Sequence, residues 1–326
     1  MKKTNCIVCS KDSPNILLEN RKDPFLKNIG LSRVVFVMCS GCGFVYQSPK
    51  LESQEISKLY LEDYYDENDK PISNAYALKK EGYAQSSFDQ VSTKIDLSSC
   101  KNKNILDIGS NTGSFLNLFK SVGWYTVGVE ASRKMADEAQ NRYSLDEVHQ
   151  CLFDANFFTD RKFGLVSLLH TLEHIENPSV ILENIYNVLD DDGMLYIEVP
   201  DVFHPKSCFY ISFYSSPHLY VFSHSSLTNL LSNNRFEVVY SGIVPRGLYV
   251  LAKKKSTKDL NKYKIDDIEK IRKITLEYKK RHDRHAFIYR FIANSLLSRI
   301  LIKLHIPVLS KLLFSFRERV RVNRPV

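Results

Sequence analysis

From residue 104 to about 253, short apolar runs alternate with amphipathic segments, and no other feature limits the fold as tightly. The strand-like runs are 104–108, 124–130, 147–153, 163–170, 193–199, 236–241 and 248–252. Helical patterns such as SFLNLFKSVG and SRKMADEAQNRY lie between the early ones. Strands alternating with helices predict an α/β fold with a parallel, doubly wound sheet. The last two runs are close enough in sequence to predict a hairpin. Asn177 is expected to cap the helix after HTLEHI, with Pro178 in its first turn and DDDG ending it at Gly193.

The regions flanking this body differ from it in charge. Residues 1–50 hold 8 Lys/Arg against 3 Asp/Glu, and residues 255–326 hold 19 against 7. The middle, 51–254, holds 18 against 27, so the overall +8 comes from the ends. The start has a basic pair with no apolar run behind it, and no window approaches the ~18 apolar residues of a membrane span. The expectation is a cytoplasmic protein with reduced thiols.

Four of the seven cysteines form two C-x-x-C knuckles, Cys6/Cys9 and Cys39/Cys42, with 29 residues between them. Each knuckle lets two thiolates reach one ion, and four close a tetrahedral structural Zn2+ site. Disulfides or unrelated thiols are the competing reading, disfavoured in a reducing compartment. Cys100, Cys151 and Cys208 are isolated and read as buried thiols. In the tail, Ile265, Ile268, Ile271 and Tyr278 share a helical stripe. Over 286–304, Ile292, Ala293, Leu296, Leu297, Ile300, Leu301 and Leu304 share a second apolar face. That face fits packing on the core or a second copy, an anionic membrane or glycolipid surface, or nucleic acid. The expected division is a zinc-binding module at 1–60, a helical connector or lid at 61–95, the α/β domain at 96–254 and a basic amphipathic helical tail at 255–326.

The first strand runs into NILDIGSNTGSF. The dinucleotide fingerprint G-x-G-x-x-G asks for glycine at 109, 111 and 114, and only Gly109 fits. An acid-x-G-x-G-x-G loop fits at Asp107, Gly109 and Gly113, and only Asn111 departs. Asn tolerates a left-handed backbone best among non-glycine residues. A second acid, Glu130, follows Asp107 by 23 positions, near the offset of a ribose-binding carboxylate.

On these residues the chain resembles the class I S-adenosylmethionine-dependent methyltransferases. CSGCGFVYQSPKLESQEISKLYLEDYY, HTLEHIENP, and IEVPD with PHLYVFSHSSLTNLLSNNRFEVV resemble the sugar and small-molecule branch that carries an N-terminal four-cysteine zinc module. The resemblance spans roughly 1–253. It implies a Rossmann-like sheet and S-adenosylmethionine bound by Asp107, Gly109, Asn111, Gly113 and Glu130. Asp154 would contact the adenine, and His170 would line the methionine end and the substrate. It also implies His218 as a general base, although Pro217 stands where the branch has an acid. His170 and His174 are further catalytic candidates. Tyr64, Tyr65, Tyr76 and Tyr83 could form a lid or a packing stripe.

The expected function is methyl transfer to a sugar or related small metabolite, in a surface-polysaccharide or nucleotide-sugar pathway. One alternative is an RNA methyltransferase; the acidic body and the absence of an Asn-Pro-Pro-aromatic motif make nucleic acid the weaker partner. Another is a non-catalytic binding protein on the same fold. Neither the methylated atom nor the oligomeric state is legible.

Overall fold

The computed structural model describes residues 5–52, 55–56, 73–153, 158, 161–206, 209–257 and 264–294; within the last helix, side chains are described only to residue 284. Two sheets organise these residues. The larger has seven strands: β4 (Asn104–Ile108), β5 (Tyr125–Val129), β6 (Glu147–His149), β7 (Phe163–Leu169), β8 (Leu189–Val199), β10 (Phe236–Val244) and β11 (Gly247–Lys254). Their spatial order is β10-β11-β8-β7-β4-β5-β6. β6, β5, β4, β7 and β8 are parallel, and β11 enters antiparallel between β8 and β10. The central strands read as continuous apolar runs because both faces are covered. Ile105, Leu106, Val127, Val166, Leu168, Leu195 and Ile197 are all buried.

The helices are α1 (Asn74–Ser92), α2 (Ser114–Ser121), α3 (Arg133–Tyr143), α4 (Pro178–Val188), α5 (His224–Asn233) and α6 (Ile268–Asn294). The expected hairpin is present: β10 and β11 pair from Phe236↔Lys254 to Val244↔Gly247. α4 departs from expectation at both ends. Asn177 precedes it without a side-chain capping bond, and the helix stops at Val188 rather than Gly193. Leu189 is buried and pairs with Phe163, so β8 begins there and DDDG becomes an irregularity inside the strand. Burial of one leucine against the sheet outweighed the turn chemistry of the next four residues. The run expected at 147–153 pairs only over Glu147–His149.

The smaller sheet joins the N-terminal region to the body. β1 (Pro14–Asn20), β2 (Val34–Cys39), β3 (Val45–Gln47) and β9 (Tyr220–Val221) are antiparallel in that order. β9 is contributed by the segment after β8, through Val45↔Val221 and Tyr46↔Tyr220. A π-helical turn at Phe209–Phe213 and the first half of α6 pack on this sheet. Ile271 is fully buried there, and Ile268 and Tyr278 pack beside it. Ile265 is not in the stripe; it precedes the helix and is 67% exposed. The second apolar face expected in 286–304 lies outside the described side chains. Among the described residues, no helix is long and apolar enough to cross a membrane.

Candidate active site

β4 delivers Asp107 to a buried position at its C-terminal end, where its carboxylate accepts a 2.7 Å bond from the Ser167 hydroxyl. Burial pushes this carboxyl up to about 7. The loop that follows is left-handed at Gly109 (φ 77°), Asn111 (φ 50°) and Gly113 (φ 76°). Asn111 therefore occupies the backbone region that a glycine would fill more cheaply. Gly109 has a second constraint: a Cβ there would sit 2.4 Å from the Thr171 hydroxyl oxygen. The exit of β7 is thus packed directly on the loop.

Glu130, at the end of β5, is buried and accepts from the Asn111 N–H at 2.8 Å and the Ser132 N–H at 2.9 Å. The second acid is tied to the loop itself. α1 lies against the same loop: the Tyr76 hydroxyl meets the Asn111 side-chain oxygen at 3.4 Å. Lys80, one turn on, lies over the Tyr76 ring at 5.3 Å. Burial and the positive charge of Arg246 push Lys80 down to about 8. Arg246 comes from the β10–β11 turn and lies 5.0 Å from the centre of the Tyr83 ring.

A cluster of histidines adjoins the loop. His170, at the end of β7, has a left-handed backbone (φ 54°) and donates its N–H to the Glu198 carbonyl at 2.9 Å. Its Nε2 is buried with no hydrogen-bond partner among the described residues. His174 closes a short 3-10 turn (Leu172–His174) rather than opening α4. Its Nδ1 meets the Pro217 carbonyl at 2.8 Å. His218 is buried, its Nδ1 3.0 Å from the Phe213 carbonyl, and its ring lies 4.7 Å from that of His174. Burial holds all three imidazoles below the ordinary histidine range, His170 at about 3. They are neutral near pH 7, and burial disfavours the protonated form of each.

The small sheet holds this cluster from behind. The Gln47 side-chain amide donates to the carbonyls of Ser215, Ser216 and His218 at 3.1, 2.9 and 2.8 Å. The Asp23 carboxylate accepts from the Ser216 N–H, and the Leu219 N–H donates to the Glu173 carbonyl. At the far end of that sheet, Cys6, Cys9, Cys39 and Cys42 place their sulfurs within 4.8 Å of one another. The Cys6–Cys42 and Cys9–Cys39 contacts are 3.6 and 3.5 Å, far beyond a disulfide bond of ~2 Å. Four thiolates at ~2.3 Å from a tetrahedral Zn2+ sit ~3.8 Å apart, so the cluster fits that ion. Mutual hydrogen bonding splits the thiols, holding Cys42 well above the ordinary range and Cys39 well below it.

The methyltransferase-domain family matches residues 77–241, just over half of the chain. The chain belongs to that family. The C-methyltransferase NovU of Streptomyces niveus is 28% identical over 42% of this chain and 27% of its own length. The ubiquinone biosynthesis O-methyltransferase of Glaesserella parasuis serovar 5 (strain SH0165) is 25% identical over 29% of this chain and 44% of its own. The chain thus spans less than half the length of either relative. Among solved structures, magnesium protoporphyrin IX methyltransferase from Synechocystis PCC 6803 with bound SAH overlaps 63% of this chain and all of that one. Its identity is 16% and its TM-score 0.47.

The structure brings Asp107, Gly109, Asn111, Gly113 and Glu130 together around one loop, with His170, His174 and His218 clustered beside it. A buried carboxylate at Asp107 suits an ammonium group, and a carboxylate at Glu130 suits a vicinal diol. The chemistry of this donor set fits S-adenosylmethionine. Asp154, Tyr64, Tyr65 and Cys208 lie outside the described residues; Cys100 and Cys151 are only half-buried. Sequence reasoning missed Gln47, Lys80, Glu173, Glu198 and Arg246. The HTLEHI stretch drew attention to its histidines, and the acid between them went unremarked. Nothing in the local sequence marks Gln47 or Arg246.

Proposed function

We propose that this enzyme methylates an oxygen or an activated carbon of a sugar or related small polar metabolite, and that its four-cysteine cluster holds a structural Zn2+. The observation that carries the reading is the cluster of histidines packed, through Thr171 and Gly109, against the loop that bears Asn111. S-adenosylmethionine supplies the methyl group on a sulfonium, a good leaving group. The loop and the two acids Asp107 and Glu130 position it, and the protein's main task is alignment of acceptor and methyl. A hydroxyl or carbon acceptor must lose a proton, and a neutral imidazole in the cluster takes it. The resemblance placed His218 first in that role. The buried Nε2 of His170, without a hydrogen bond among the described residues and 4.0 Å from Glu198 Oε2, and its position beside the loop favour His170. Lys80 and Arg246 add positive charge near His170, which suits an acceptor bearing an anionic group.

Incubation of the full chain with labelled S-adenosylmethionine and a fractionated cell extract tests this. Label is expected in the small-molecule or nucleotide-sugar fraction, and it is expected to vanish with Asp107→Ala. Label sensitive to ribonuclease would replace the reading with RNA methylation. Failure of both transfer and S-adenosylhomocysteine binding would remove it.

A further inference from the structure

Glu173 is fully buried, and neither of its carboxylate oxygens has a hydrogen-bond partner among the described residues. A carboxylate taken out of water in that way costs several kcal/mol unless it is neutralised or coordinated. Three histidines lie around it, His170, His174 and His218, and the orientation of the last two is fixed by backbone carbonyls. His174 donates its Nδ1–H to the Pro217 carbonyl and His218 donates its Nδ1–H to the Phe213 carbonyl, because a carbonyl can only accept. In each ring the Nε2 then carries the lone pair. Histidines held through one nitrogen by a backbone carbonyl are oriented as metal ligands are. One ligand atom from each of Glu173, His174 and His218 lies within 4.8 Å of the others, and His174 Nε2 is 3.8 Å from Glu173 Oε1. Ligand atoms ~2.1 Å from an ion sit ~3.0–3.4 Å apart, so closure requires side-chain shifts of about 1 Å.

We propose that Glu173, His174 and His218 bind a divalent first-row transition metal ion, separate from the four-cysteine cluster. Two nitrogens and one carboxylate suit Zn2+, Mn2+ or Fe2+ and leave coordination positions open. His170 borders the site, its Nδ1 3.5 Å from Glu173 Oε1. Resting on the methyl-transfer reading, the open positions would take oxygens of the acceptor, lower the pKa of a bound hydroxyl and present its proton to His170.

Mn2+ makes the test specific, because it prefers oxygen and nitrogen donors to a thiolate cage. The full chain is titrated with Mn2+ and the free ion is followed by its paramagnetic resonance signal. S-adenosylhomocysteine binding is measured on the same samples. The expected result is one Mn2+ per chain in the wild type and in Asp107→Ala, and a loss of affinity of about a hundredfold in Glu173→Gln and His218→Asn. Retained S-adenosylhomocysteine binding shows that those two variants are folded. No Mn2+ uptake by the wild type, or equal uptake by folded Glu173→Gln, overturns the metal site while leaving methyl transfer standing. Mn2+ uptake without S-adenosylhomocysteine binding does the reverse.

Discussion

At the residue scale, Asp107 makes a prediction with a definite sign. Its carboxyl is raised to about 7 in the fold, against about 3.9 in an unfolded chain. The folded state thus favours the protonated form. That contribution to stability is full below pH ~4 and is lost as pH rises toward 7. Without cofactor, Asp107→Asn should therefore melt higher than the wild type at pH 8, with the difference closing at pH 5. An ammonium group beside the carboxylate reverses the penalty. S-adenosylhomocysteine should raise the wild-type melting temperature more at pH 8 than at pH 6, and this pH trend should disappear in Asp107→Asn. Calorimetry at three pH values checks both. Gly109 gives a second prediction. Its φ of 77° costs any other L-residue about 1–2 kcal/mol, and the new Cβ would strike Thr171. Gly109→Ala should lower S-adenosylhomocysteine affinity at least tenfold by isothermal titration, whereas Asn111→Gly should keep it within about threefold.

At the scale of elements, β3 and β9 decide how the histidine cluster is held. One amide, that of Gln47, serves three carbonyls of the 215–218 turn. Gln47→Leu leaves those carbonyls without that donor, at a cost of about 1–3 kcal/mol. Because Gln47 touches no cofactor residue, kcat should fall with S-adenosylhomocysteine affinity unchanged; loss of both together would make it merely structural. α6 is docked by a different mixture. Ile271 fills the apolar seam, the Tyr214 and Thr275 hydroxyls meet at 2.9 Å, and Asp283 accepts from Tyr210 at 2.9 Å. Ile271→Ala should destabilise by about 2–4 kcal/mol in a denaturant titration, because a buried β-branched side chain is removed from a filled site.

For the whole molecule, the four-cysteine cluster and the histidine cluster both adjoin one small sheet. Loss of the cluster should therefore be felt at the acceptor side before the cofactor side. In Cys42→Ser, zinc content should fall by one per chain and transfer should drop about tenfold or more, with S-adenosylhomocysteine affinity within threefold of the wild type. Equal loss of cofactor binding would show instead that the two sheets unfold as one unit.

Several features were readable without coordinates because they depend on near neighbours in the chain. The alternation of apolar runs located the parallel strands, since a strand buried on both faces must be apolar throughout. Asp107, the left-handed loop and Glu130 were legible from spacing alone, because a strand end and a tight turn impose local backbone demands. The paired cysteine knuckles were legible for the same reason. Other features required the tertiary structure. Leu189 joined β8 because burial against Phe163 was worth more than the DDDG turn signal. Ile265 fell off the helical stripe because the chain turns into α6 only at Ile268. Gln47 and the 215–218 turn lie about 170 residues apart, and Glu173 and His218 lie 45 apart. The sequence by itself determined the sheet, the left-handed loop after β4 and the thiol cluster. Only the fold decided which histidines cluster, that a fully buried acid sits among them, and that the N-terminal sheet supports them, because those contacts exist only after distant segments have packed.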